Sequence, residues 1–169
     1  TLFPYTTLFR LIQALSDQGQ RAVCIWPGSS YQPLAQDQIT LAVNQPDDYR
    51  RALHEALGDD GPCAGVVHLF SLDATPLPQT TVDSLSTDLT SGSVSATYVA
   101  QAVLRHGFRD VPRLYLVTRG AQRVLASDPV SIAQAPIWGL GKTLALEAPA
   151  LRPLRVDLAH LARDREGQA

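Results

Sequence analysis

Gln134-Ala-Pro-Ile-Trp-Gly-Leu-Gly-Lys-Thr-Leu-Ala-Leu-Glu147, with Val156-Asp157-Leu158 a few residues on, has the outline of a nucleotide-binding segment and lacks its parts. Gly141-Lys142-Thr143 invites a phosphate-loop reading. That loop needs a glycine five residues before Gly141, so that backbone N–H groups can wrap the phosphates. Position 136 is proline, which has no N–H and a fixed φ. A dinucleotide fingerprint would require glycine at 144 and a strand directly before it; Leu144 stands there, and Ala135-Pro136 precedes the segment. What is left is an apolar helix over 137–147, ended by Pro149, and a strand over 154–158.

Outward from this helix–strand pair, strands and helices alternate. Residues 113–118 (Arg-Leu-Tyr-Leu-Val-Thr) read as a strand, and 65–72 is a continuous apolar run of the kind found in a strand covered on both faces. Residues 21–26 form a strand ended by Pro27-Gly28, and 38–43 a short one. Helices are expected over 11–18, over 47–57 with Asp47-Asp48 at its positive end, and over 81–105 with a break at Gly92. Residues 73–79, carrying Pro76 and Pro78, are a loop. This order predicts an α/β protein: a truncated Rossmann-like three-layer sandwich with a mostly parallel sheet.

Composition sets the bounds. At 169 residues, 45% hydrophobic and 18% charged, the chain suits a single domain with its own core. A net charge of −2 gives no reason to expect nucleic acid as a partner. No apolar run approaches the roughly 20 residues that span a bilayer. Cys24 and Cys63 lie in apolar runs, without metal-ligand spacing, and read as buried free thiols of a cytoplasmic protein. The chain has no methionine and starts at threonine, which fits a piece of a longer reading frame. Residues 1–10 (Thr-Leu-Phe-Pro-Tyr-Thr-Thr-Leu-Phe-Arg) differ in character from the rest of the chain and are similar to a translated sequencing adaptor. They are set aside as non-native or disordered, the alternative being a genuine strand.

Four blocks in order carry a resemblance: Gly65-Val-Val-His-Leu-Phe-Ser-Leu-Asp73, Pro112-Arg-Leu-Tyr-Leu-Val-Thr-Arg-Gly-Ala-Gln122, Ala133 through Glu147, and Leu154-Arg-Val-Asp-Leu158. Together they resemble the ketoreductase domain of modular type I polyketide synthases, and within it the N-terminal structural subdomain. The resemblance implies a short-chain-dehydrogenase-like half that has lost its cofactor site. It would brace a catalytic half that binds NADPH and reduces a β-keto thioester on an acyl carrier protein. Residues 11–160 would form this subdomain, lacking a proper first strand, and 161–169 a frayed tail toward the missing half. Partners would be that catalytic half and neighbouring synthase domains, with no cofactor held by this chain. The alternative is an independent small nucleotide-binding enzyme, reductase or methyltransferase-like.

The residues agree with a degenerate half. A short-chain reductase places Tyr and, four positions on, Lys on this helix; here the pair is Trp138 and Lys142, the only lysine. An indole N–H cannot act as a general acid near neutral pH. Thr118 stands at the strand end where such a reductase would put its carbonyl-binding serine. Ser71 and Asp73 come after the central strand and read as turn and cap residues; Pro27-Gly28-Ser29-Ser30 reads as a turn rather than a 2′-phosphate pocket. His68 reads as a hydrogen-bonded core histidine, and His54, His106 and His160 as surface or cap residues. Asp47-Asp48 and Asp59-Asp60 are helix-end and loop carboxylates. No catalytic, cofactor-binding or metal residue is assigned. Ile137 and Trp138 are either interface anchors or core, and the isolated chain is expected to expose an apolar patch and an open strand edge.

Overall fold

The computed structural model describes residues 3–59, 61–126 and 128–159; His160, Asp60 and the tail 161–169 lie outside them. Three strands form one ladder: β1 (Cys24–Gly28), β2 (Gln32–Ala35) and β3 (Gln38–Ala42), in the order β1-β3-β2. A second ladder holds β4 (Gly65–His68), β5 (Arg113–Arg119) and β6 (Leu154–Leu158), in the order β4-β5-β6. β1 is parallel to β3, and β5 is parallel to both β4 and β6; among the described residues only β2 is antiparallel. The mostly parallel α/β architecture is thus present, with its sheet interrupted between β1 and β4.

Among the described residues, five α-helices accompany the strands: α1 (Phe3–Asp17), α2 (Pro46–Leu57), α3 (Val82–Leu89), α4 (Ser95–His106) and α5 (Ala135–Glu147). α3 opens with a reciprocal cap, in which Thr81 accepts from the Ser84 N–H while Ser84 accepts from the Thr81 N–H. The expected break in 81–105 is a π turn at Thr90–Val94. It contains Gly92, which packs beside Ile137 and Ser71 in space that would still admit a Cβ at ordinary contact distance.

Four boundaries differ from expectation. α1 begins at Phe3, so part of the N-terminal decapeptide is helix and not strand. β1 runs two residues past the expected stop and includes Pro27 and Gly28. Proline is compatible there because its side of β1 has no strand neighbour among the described residues. β2, with Pro33 and a bulge, is invisible to periodicity because all four residues are exposed. The apolar run 65–72 is strand only to His68 and then coils into a 3₁₀ turn, Phe70–Asp73.

One core joins the ladders. Ile39 and Leu41 of β3, Tyr49 and Ala52 of α2, Ala96, Ala100 and Val103 of α4, Leu114 and Leu116 of β5, and Ile137 of α5 are all buried together. α5 rests on β5 and β6 through Gly141, where a Cβ would come within 2.6 Å of Arg155 Cδ and 3.2 Å of Leu116 Cδ1. The second glycine of Gly-Leu-Gly therefore serves helix–sheet packing.

Candidate functional site

The carboxyl ends of β4, β5 and β6 meet under α5, where ligands of open α/β sheets usually bind. Here the polar groups are bonded to each other. Trp138 Nε1 donates to Thr118 Oγ1 at 3.0 Å, and the Thr118 hydroxyl donates to Asp157 Oδ1 at 2.7 Å. Asp157 also accepts the Ala121 N–H at 3.0 Å and the Gln122 N–H at 2.9 Å. The loop amides after β5 are thus taken up by the chain's own carboxylate. Gln134, itself buried, closes the other side by accepting the Arg119 N–H at 2.8 Å.

The Trp138 ring is held on a second side as well. The Arg155 guanidinium lies 5.2 Å from its centroid, a cation–π contact. Lys142 is exposed on α5, as expected of a surface lysine. Ile137 is fully buried in the chain's own core, while Trp138 is half-buried. Ser71 is buried and donates to the Val117 carbonyl at 2.6 Å, tying the turn after β4 to β5. Asp73 ends that turn, and partial burial raises its carboxyl pKa. Sequence reasoning missed Asp157 and Gln134 as organising residues. The one available signal was an uncompensated aspartate closing an apolar strand.

His68 is buried at the end of β4, as expected of a core histidine. Its Nε2 lies 2.6 Å from Ser95 Oγ, and Ser95 donates to the Ser91 carbonyl at 2.5 Å. The single hydroxyl proton being engaged there, Nε2–H is the donor to Ser95. Nδ1 has no partner among the described residues. Burial lowers the His68 pKa to about 4. The neutral form is therefore the folded form: stability is full above the ordinary pKa of 6.5 and falls as pH drops from there toward about 4. The expected loss across that window is about 3 kcal/mol. Urea denaturation at pH 7 and pH 5 should capture about 2 kcal/mol of it, and His68→Gln should flatten the difference; an unchanged slope in that variant would assign the pH effect elsewhere.

A second cleft, of about 310 Å³, lies between the carboxyl ends of β1 and β3 and the α3–π-turn segment. Gly28, Ser29, Asn44, Ser86, Thr87 and Ser91 line it, with no arginine or lysine among its lining residues. A dinucleotide's phosphates need a glycine loop, helix N–H groups or cations. The cleft supplies none of them, and under α5 the loop amides of Ala121 and Gln122 are already taken by Asp157 while Arg155 lies on the Trp138 ring, so the phosphate cradle of such a cofactor is not formed by these residues. Cys24 and Cys63 are free and half-buried, and burial raises both thiol pKa values. No His/Cys/Asp/Glu group among the described residues has metal-binding geometry, and no helix among them is long and apolar enough to cross a membrane.

No family model matches the chain. A 48-residue stretch, 28% of the chain, is 52% identical to the phthioceranic/hydroxyphthioceranic acid synthase of Mycobacterium tuberculosis, of which it covers 2%. A stretch of 60 residues is 38% identical to a phenolphthiocerol/phthiocerol polyketide synthase polypeptide of the same organism, covering 36% of this chain and 3% of the relative. The chain therefore spans only a few hundredths of the curated relatives it matches. Among solved structures, a keto acid-selecting NRPS module containing adenylation and ketoreductase domains aligns over 96% of this chain and 13% of its own, at TM-score 0.80 and 17% identity. An N-terminal ketoreductase of the macrolactin assembly line aligns over 93% and 30%, at TM-score 0.67 and 15% identity. A short-chain dehydrogenase/reductase from Serratia marcescens aligns over 84% and 67%, at TM-score 0.57 and 15% identity.

Proposed function

We propose, for a chain with polyketide synthase relatives and a ketoreductase-like fold, that it is the non-catalytic structural half of an NADPH-dependent β-ketoacyl-thioester reductase domain. In this reading residues 11–160 brace a catalytic half of the same polypeptide, and 161–169 lead toward it. The acyl carrier protein serves the catalytic half, in the cytoplasm. The observation that carries the reading is the bonded set Trp138–Thr118–Asp157. An indole occupies the position of the proton-donating phenol. The hydroxyl that would hold a substrate carbonyl is committed on both sides. The unfitted phosphate positions support the same reading, and the alternative of an independent nucleotide-binding enzyme needs them filled.

The test is co-expression of residues 11–169 with a candidate catalytic half, each also made alone, with NADPH consumption followed on a β-keto thioester mimic. The expected result is turnover by the pair only, with no NADPH binding by residues 11–169. Binding or reduction by residues 11–169 unaided overturns the proposal. Trp138→Tyr should not create reductase activity in residues 11–169, because no site for the nucleotide accompanies it.

A further inference from the structure

Charge is divided unevenly along this chain. Residues 1–104 hold four basic and ten acidic residues, and 105–169 hold ten basic and six acidic. The ion pairs among the described residues, Arg21–Asp37, Arg50–Asp47 and His54–Asp59, lie in the first part. In the second part, four arginines gather at the amino ends of β5 and β6. Arg105 is in the last turn of α4, Arg109 follows the Gly107 cap, Arg113 opens β5, and Arg152 stands two residues before β6. All four are exposed, and none has a carboxylate partner among the described residues. Asp110 is the one acidic residue in 105–113. Between this connection and the 3₁₀ turn Pro149–Leu151 lies an open cleft of about 450 Å³, lined by Arg109, Asp110, Val111, Ala150 and Arg152. Arg152 spans it: its Nη2 donates to the Val111 carbonyl at 2.7 Å. Its backbone lies in the left-handed region at φ 44°, with its N–H on the Pro149 carbonyl at 3.0 Å. That conformation suits glycine or asparagine. Arginine there sets a guanidinium across the cleft with one bond shown for its five donors.

We propose that this cleft and the arginines beside it receive an acidic polypeptide segment of another domain, with carboxylates on both sides of a small apolar residue. Val111 and Ala150 offer that residue an apolar floor, and Arg109 and Arg152 a cationic rim. Asp110 decides against a compact dianion. A phosphate held by both arginines would face a like charge in the same cleft. Carboxylates carried at separate positions can sit on the arginines and leave Asp110 between them. A single exposed ion pair contributes next to nothing, so the segment must bring several carboxylates at once. Nucleic acid needs a longer basic track, and it would meet the acidic excess of residues 1–104. The chain covers 2% of one curated relative and 3% of another, so in such a setting its neighbours are other protein domains. The inference rests on that kinship and not on the loss of the cofactor site.

The test titrates the full chain into a labelled peptide of about twelve residues, with Glu on both sides of a central Ala-Leu, against the same peptide with Gln for Glu. Fluorescence anisotropy and backbone amide shifts are the readouts. The expected result is saturable binding of the Glu peptide at about 10–100 μM in about 20 mM salt, weakened about tenfold at about 150 mM. The shifts should centre on residues 105–113 and 149–152. Arg105→Glu combined with Arg109→Glu should weaken binding by about tenfold or more with the thermal midpoint unchanged. Asp110→Asn should tighten it by about twofold. Arg123→Glu, past the other end of β5, is the control and should leave it nearly unchanged. Equal binding of the Gln peptide overturns the proposal, as do shifts centred elsewhere or an Arg123→Glu loss as large as that of the double variant. Inorganic phosphate that moves the same amides with the same dependence on Arg109 also overturns it, and so do duplex DNA or phosphatidylserine vesicles that displace the peptide at lower concentration. These readouts concern the amino ends of β5 and β6 alone, so they stand or fall independently of NADPH turnover.

Discussion

Asp157→Ala is expected to lower stability by about 3 kcal/mol, and the thermal midpoint by roughly 10 °C. The carboxylate receives three donors: the Thr118 hydroxyl, the Ala121 N–H and the Gln122 N–H. Alanine leaves the buried Ala121 amide and the exposed Gln122 amide without this acceptor; the buried one dominates, since an orphaned buried donor costs about 1–3 kcal/mol, and loss of the Thr118 bond adds to it. The Thr118 hydroxyl can fall back on the Val156 carbonyl at 3.4 Å, a poor bond, so it limits the loss only slightly. Asp157→Asn should be milder than alanine, since its carbonyl oxygen still accepts on one side while its amide faces a donor on the other. Differential scanning calorimetry of the three proteins checks this order. An alanine variant within about 0.5 kcal/mol of the parent would mean that water already serves these donors.

Leu116→Ala should cost about as much, by a different route. Leu116 is fully buried in the middle strand of the second ladder, beside His68 on β4 and Arg155 on β6 in register. Its Cδ1 also underlies Gly141, where α5 comes down on the sheet. Truncation removes apolar burial and opens a cavity that four rigid elements cannot close, for a loss of about 3 kcal/mol within the usual 2–5. Urea denaturation should show a lower midpoint with an unchanged slope. Leu146→Ala is the control: that side chain is 84% exposed and its removal should be nearly neutral. Equal losses in the two variants would contradict the packing described for α5.

The parts of the fold legible in the sequence were those where burial and conformation coincide. Residues 113–118 are apolar, β-prone and central, and β5 is found there. Thr81 and Gly92 marked the start and the interruption of the long helical region, and both are where expected. The rest was hidden for physical reasons. In 65–72 hydrophobicity reported burial and said nothing about conformation, so the turn at Phe70–Asp73 was read as strand. β2 has no buried residue and hence no pattern to find. At the candidate site, Trp138, Thr118, Ser71 and Lys142 could be placed from spacing along strand ends and one helix. Asp157 could not be given its role, because its partners lie 35 or more residues away in sequence and two of them are main-chain amides.

The bonded set beneath α5 also bears on how this chain could change over time. A phenol at 138, a free hydroxyl at 118 and open amides at 121 and 122 cannot be reached one substitution at a time without passing through a state with an orphaned polar group. Trp138→Tyr exchanges the indole donor for a shorter phenol, and Asp157→Ala takes away the acceptor of both loop amides. The Asp157→Ala state is poorer by about 1–3 kcal/mol for each buried donor it orphans, a sizeable part of what a domain of this size has to lose. The arrangement behaves as a ratchet: drift at exposed positions such as Leu146 is nearly neutral, while any route that takes the Asp157 acceptor away is uphill.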